Sequence, residues 1–203
     1  MGEQKVTAVI LNWKRPQNIP KIIESLLPHS FIDEIVIHDN SKGNNIINYG
    51  RYLHGTHDLI YTQDDDCIVH GIENLYASFV TAPDRISYGG TEGLHNVDQQ
   101  NIRGSAKMCM AGWGSMFSRS WISVLDKYIE RYGMDTCFFR ETDRIFSLLL
   151  NKHHNLVKTV RIEHFEGAVD KNALALEADH WKSKAKAIDR ALGILKEEGT
   201  WSS

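Results

Sequence analysis

Leu59-Ile60-Tyr61-Thr62-Gln63-Asp64-Asp65-Asp66 is a short run of β-prone residues that ends in three consecutive acids. Leucine, isoleucine, tyrosine and threonine favour an extended, buried strand, so the aspartates fall where the chain leaves that strand. In open α/β sheets, ligands gather beyond the carboxyl ends of the strands. The spacing of Asp64 and Asp66 suits two carboxylates sharing one hard cation, magnesium or manganese, with a nucleotide diphosphate supplying further oxygens. Out of context, three aspartates read as a solvated turn. The buried strand leading into them favours the metal reading.

Upstream, Val6 to Leu11 is a second β-prone run, with Asn12 and Trp13 following before Arg15-Pro16 interrupts the backbone. Ile19, Ile22, Ile23, Leu26 and Leu27 recur at helical spacing and Pro28 ends that helix. Glu34 to His38 predicts another strand, running into the turn-rich Asp39-Asn40-Ser41-Lys42-Gly43. Downstream, Ile72, Leu75, Tyr76 and Phe79 mark a helix. The order β-α-β, linker, β-α implies a largely parallel sheet covered by helices, because parallel neighbours need a crossover. Asn12, Asp39 and the triplet all lie at predicted strand ends, so three segments point to one crevice.

The remaining chain is read less regularly. Gly89 to Gly104 is a long polar loop. Trp121, Val124, Leu125, Tyr128, Ile129 and Tyr132 predict one helix, and Ile145, Phe146 and Leu149 another that begins near Glu141. His153-His154 is expected at a solvated helix end, and Leu156 to Ile162 as a late strand. A last helix, roughly 172–197, carries Trp181, Ala185, Ile188, Leu192 and Leu195 as its apolar stripe.

With 203 residues and 42% hydrophobic composition, one α/β domain is expected: a nucleotide-binding half to about residue 90, an acceptor half to about 168, then the helix. The 23 basic and 26 acidic residues exclude a uniformly basic surface. Cys67, Cys109 and Cys137 form no CxxC pair, which argues against a disulfide framework or cysteine-based zinc site. The polar start and the short apolar run after it fit neither a signal peptide nor a membrane span, so a cytoplasmic location is expected.

Three stretches carry a resemblance: Val6-Thr7-Ala8-Val9-Ile10-Leu11-Asn12-Trp13-Lys14-Arg15-Pro16, Glu34-Ile35-Val36-Ile37-His38-Asp39-Asn40-Ser41, and Asp64-Asp65-Asp66 as a DXD motif. Together they resemble the type-A fold (GT-A) glycosyltransferases, especially family-2-like and exostosin-like members, over most of residues 6 to 165. The resemblance implies a Rossmann-like, mostly parallel sheet and a nucleotide-sugar donor, a UDP-sugar above all. It places Asn12, Lys14, Arg15, Asp39, Asp64 and Asp65 on the donor. Mn2+ or Mg2+ would be held by Asp64 and Asp66, with His164 corresponding to a histidine that completes the metal site in some relatives. A lone histidine is more often structural.

Two later segments extend the resemblance. Ala111-Gly112-Trp113-Gly114-Ser115-Met116-Phe117-Ser118-Arg119 looks like the glycine-containing segment before the acceptor helix, which assigns Gly112, Trp113 and Gly114 to the acceptor. The alternative is a core tryptophan beside a tight turn. Phe139-Arg140-Glu141-Thr142-Asp143-Arg144 resembles the motif that carries the catalytic base of inverting members. The usual Glu-Asp pair stands here as Thr142-Asp143, with Glu141 one position earlier. Asp143 is the favoured base and Glu141 its competitor, against helix capping as the structural alternative.

Absence of GxGxxG and of GxxxxGK[ST] disfavours dinucleotide and P-loop enzymes. A metal-dependent nucleotidyltransferase, and a non-catalytic nucleotide-sugar-binding module, are the alternatives to a hexosyl- or pentosyltransferase. Arg103, Lys107 and Arg119 flank the Gly-Trp-Gly segment, and Lys182, Lys184, Lys186 and Arg190 add a basic stretch. These make a hydroxylated base in DNA the acceptor of most interest, with a solvated helix face as the alternative.

Overall fold

The computed structural model describes residues 3–41, 48–89, 108–166 and 179–201. The Val6–Leu11 run forms β1 (Val6–Asn12), buried along its whole length. Ile19, Ile22 and Leu26 then bury one face of α1 (Ile19–Leu26), while Leu27 at its end is exposed. β2 (Ile32–Asp39), β3 (Leu59–Asp64), β4 (Cys67–His70), α2 (Ile72–Thr81) and β5 (Ile86–Tyr88) follow. β6 (Trp113–Ser118), α3 (Val124–Tyr132), α4 (Thr136–Leu150), β7 (His154–Leu156), β8 (Arg161–His164) and α5 (His180–Glu197) complete the described strands and α-helices.

Six strands form one sheet in the order β2-β1-β3-β6-β5-β7. β2, β1 and β3 are parallel, β6 runs against both β3 and β5, and β7 is parallel to β5. The fold is therefore the expected α/β one, a mostly parallel sheet flanked by helices. Alternation along the strands divides two cores. Val6, Ala8, Ile10, Leu59, Tyr61 and Met116 pack against α1 and α2. Val9, Ile60 and Phe117 face α3, α4 and α5 on the other side. β2 is an edge strand, which is why its Ile37 remains exposed.

Several boundaries differ from the sequence expectation. Trp121 lies in a 3-10 turn (Arg119–Ser123) ahead of α3. α4 begins at Thr136, capped by Asp135, whose Oδ1 accepts from the Phe138 amide at 2.9 Å. Glu141 instead marks a kink with φ −118° and ψ 19°. There Thr142 donates its hydroxyl to the Phe138 carbonyl and Asn48 donates to that of Arg140, so side chains compete with the helix ladder. The single late strand is two, β7 and β8, separated by a turn. His154 is buried in β7, where Nε2 lies 2.9 Å from the Ser147 carbonyl, so it is no solvated helix end.

Trp181 and Ala185 face outward. The buried stripe of α5 is His180, Lys184, Ala187, Ile188, Ala191, Leu192, Ile194 and Leu195. Residues 172–178 of the expected last helix, and nearly all of the Gly89–Gly104 loop with Arg103 and Lys107, fall outside the described residues. No described helix is long and apolar enough to cross a membrane.

Candidate active site

Strand register brings the expected residues to one edge of the sheet. Asn12 lies opposite Asp39, Leu11 opposite Asp64, and Gln63 opposite Trp113. Because β6 is reversed, its first residues, not its last, meet the carboxyl end of β3. The Asp64 amide donates to the Gly112 carbonyl at 2.7 Å.

Each acid of the triplet has a different environment. Asp64 Oδ1 accepts from Arg51 Nη2 at 2.8 Å, and Arg51 is fully buried. Burial raises the Asp64 pKa, Arg51 opposes the rise, and Asp143 and Asp65 add to it. Asp65 points inward: its Oδ2 accepts the backbone amides of Trp13, Lys14 and Arg15 at 2.8, 3.1 and 3.0 Å, and its Oδ1 accepts from Arg15 Nη1 at 3.2 Å. Asp66 is pushed up to about 7, first by burial and then by Asp64 and Asp65. Its Oδ1 is buried without a hydrogen-bond partner among the described residues. Crowded carboxylates with an orphaned oxygen fit a cation, which removes the repulsion that holds the proton on.

The other residues expected on the donor lie around this edge. Asn12 Nδ2 donates to Asp39 Oδ1 at 2.9 Å, which also accepts the Ser41 amide. Lys14 is exposed, its ammonium 4.6 Å from the Trp13 ring centre, whereas Arg15 is buried against Asp65. His164 is brought opposite Cys67 by β4–β8 pairing, with its ring 4.9 Å from that of Trp113. Among the described residues, no three His, Cys, Asp or Glu side chains are placed to hold a metal by themselves. A cation at Asp64 and Asp66 would need further oxygens from outside the described residues to complete its shell.

The glycines have local reasons. A Cβ on Gly112 would stand 1.9 Å from Asp64 Oδ2, and one on Gly114, whose φ is +86°, 2.8 Å from both Val69 methyls. Gly112 thus lets the Asp64 carboxylate lie against the backbone, and Gly114 lets β6 pass close to β4. Gly112→Ala is expected to displace Asp64 and abolish metal-dependent ligand binding while the rest of the fold survives. Calorimetry beside a far-UV melting curve checks this, and unchanged binding would refute the contact's importance.

Arg51 is the residue that sequence reasoning missed. Its Nη1 donates to Thr62 at 3.2 Å, and its Nη2 donates to Asn48 Oδ1 at 2.9 Å as well as to Asp64. Burial works against its charge, but Asp64, then Tyr52 and Asp143, raise its pKa above the ordinary value. Its neighbour Gly50 lies against the His38 ring, which a Cβ there would overlap at 2.0 Å. His38 Nδ1 in turn lies 2.8 Å from His54 Nε2. The only sequence signal was a cation in the linker before an acid-rich strand end.

The two candidate bases separate. Asp143 is 8% exposed, its Oδ1 is buried without a partner among the described residues, and its charge bears on Asp64 and Arg51. Glu141 is enclosed, accepting from Arg144 Nε at 2.7 Å and lying 3.3 Å from His180 Nδ1. Its pKa is pushed up to about 7, mainly by burial, with Arg144 opposing and Asp143 adding. The folded value exceeds the ordinary 4.5. The resulting stabilisation is therefore full below the unfolded value and lost as pH rises through 7. Glu141→Gln, which resembles the neutral acid, is expected to gain a few degrees of melting temperature over wild type between about pH 5 and about pH 8. A pH-independent difference in melting curves would contradict this.

Three of the four cations of the basic stretch on α5 pair with acids. Lys182 pairs with Asp179, Lys186 and Arg190 both pair with Asp135, and Lys184 is buried. Arg119 donates to the carbonyls of Gly55 and His57.

No family model matches the sequence, and no curated protein matches it either. Among solved structures, the chain is similar to A197 from STIV, with 14% identity over 81% of this chain and 87% of that one and a TM-score of 0.47. It is also similar to S. aureus TarS 1–349, with 8% identity over 96% of this chain and 72% of that one and a TM-score of 0.46. Likenesses this distant carry no argument about activity, which has to come from the site's own chemistry.

Proposed function

We propose that this protein is a metal-dependent glycosyltransferase that moves a hexose or pentose from a nucleotide sugar, with a UDP-sugar the expected donor, to a hydroxyl acceptor. The observation that carries the reading is the grouping of Asp64, Asp66, buried Arg51 and Asp143 at one sheet edge, beside Asn12 and Asp39. Asn12 and Asp39 present amide and carboxylate groups suited to a base and ribose. Asp64 and Asp66 would hold Mn2+ or Mg2+, which supplies charge neutralisation for a departing diphosphate. Asp143, enclosed and acceptor-only when ionised, would take the proton of the attacking hydroxyl.

A binding module without turnover would not need Asp143, an enclosed carboxylate whose charge bears on Asp64 and Arg51. A nucleotidyltransferase shares the acids and the cation, and the donor panel separates it. The test incubates the protein with nucleotide sugars and nucleoside triphosphates, with Mn2+, Mg2+ or chelator. Metal-dependent release of a nucleoside diphosphate from a nucleotide sugar is expected. Pyrophosphate release from a triphosphate, or no metal-dependent turnover, would overturn the reading.

A further inference from the structure

The acid-bearing strand end and the kinked helix α4 are joined through one side chain, Asn48. It stands immediately before a 3-10 turn, Tyr49–Tyr52, that packs on α4: the Tyr49 ring lies 5.1 Å from that of Phe138, and the Tyr52 ring 4.8 Å from that of Phe146. On one side, Asn48 Oδ1 accepts from Arg51 Nη2 at 2.9 Å, and the same nitrogen donates to Asp64 Oδ1 at 2.8 Å. On the other side, the Asn48 backbone amide donates to the Phe139 carbonyl at 3.0 Å, and Asn48 Nδ2 donates to the Arg140 carbonyl. A continuous chain of hydrogen bonds therefore runs from Asp64 to α4.

The two carbonyls lie where the helix bends. In a straight α-helix they would accept from the amides of Asp143 and Arg144. Here both accept from Asn48, and Glu141, the next residue, departs from helical angles. The direction in which Asp143 leaves α4 follows from that kink. Its charge bears on Arg51 and on Asp64, so the three groups share one neighbourhood.

The chemistry explains why the junction is an asparagine. An amide meets both demands from two atoms: its oxygen suits the guanidinium and its nitrogen suits the carbonyl, while the reversed orientation would set donor against donor. Aspartate would keep the first contact and lack the second. Alanine would lack both. Arg51 passes on position as well as charge, because it is fully buried and its planar fork is held at Thr62, Asn48 and Asp64 together.

We infer that Asn48 is a positioning residue for the proposed transfer, joining Arg51 and Asp64 to the kink of α4 and so setting Asp143 relative to the acids of the strand end. This rests on the glycosyltransferase reading and adds to it a residue that acts through others.

The test measures manganese-dependent release of nucleoside diphosphate from a panel of nucleotide sugars by the full chain, with calorimetry of UDP and manganese and a melting curve for each variant. Asn48→Ala and Asn48→Asp are each expected to lower kcat about tenfold or more, the scale on which small misplacements act, while KM for the nucleotide sugar stays within about twofold. In an Asp143→Asn background, Asn48→Ala is expected to cost less than about twofold further, because the group it positions is already disabled. Tyr49→Phe, which keeps the packing of the same turn, is expected to turn over as wild type. Equal cost of Asn48→Ala in the two backgrounds would overturn the inference, as would a wild-type rate in both Asn48 variants or a loss confined to donor affinity. Loss of the fold in both variants would make Asn48 a structural residue and overturn it too. Any of these outcomes beside an active wild type removes this inference alone, whereas a wild type without metal-dependent release from any nucleotide sugar removes the transferase reading with it.

Discussion

Asp143→Asn is expected to lower sugar transfer by roughly two or more orders of magnitude, the usual cost of losing a general base, while donor affinity stays nearly constant. Asparagine keeps the shape of the side chain and the packing of α4 but cannot take a proton. Asp143 suits the base because it is enclosed yet keeps a partnerless oxygen, and because it shares the electrostatic neighbourhood of Arg51 and Asp64. The proposed donor contacts lie at the ends of β1, β2 and β3, and the substitution leaves those side chains in place. Single-turnover transfer beside calorimetry with a UDP-sugar separates the two effects. Normal transfer by Asp143→Asn together with a dead Glu141→Gln would move the base to Glu141.

Asp66→Ala is expected to remove the metal dependence of donor binding and most of the activity. Even changes beside a metal ligand cost about 10–100-fold, so loss of the ligand itself should reach the upper part of that range. The wild-type carboxyl holds a proton up to about pH 7 because burial and two neighbouring acids disfavour its charge. A divalent cation reverses that preference, so metal binding near neutrality is expected to release protons. Calorimetry in buffers of different ionisation enthalpy detects the release in wild type and its loss in the variant. Metal-dependent donor binding that survives in Asp66→Ala would remove Asp66 from the metal site.

The legible parts of the fold were those where local chemistry and tertiary placement agree. β1 and β3 are buried on both faces, so continuous β-prone runs announced them, and turn residues marked their ends. β4 and β8 were not legible, because four-residue strands such as Cys67–His70 become strands only through a partner far along the chain. β6 carries no strand signal in the glycine-containing segment before the helix, since Gly112 and Gly114 signal turns locally while serving here for close approach to Asp64 and Val69. The first turns of α4 were lost because the kink at Glu141 breaks the apolar period.

Within the site, the acids were legible by type and position but their division of labour was not. Nothing in three adjacent aspartates distinguishes the one that faces Arg51 from the one that turns inward. Arg51 itself carried no periodic signal, and its role follows only from being buried beneath a strand end. Lys184 looked like one more charge on a basic helix face, until the packing of α5 on α4 turned it inward.

The inward turn of Asp65 has a thermodynamic consequence. Three successive amides, those of Trp13, Lys14 and Arg15, are bound by one carboxylate oxygen, so the segment leaving β1 is restrained as a sheet strand is restrained, although it belongs to no sheet. Ordering a loop around a ligand costs affinity, and here that ordering has already been completed during folding. The proposed donor would therefore meet a prepared surface on this side, and the entropy lost on binding would fall mainly on the ligand rather than on the chain.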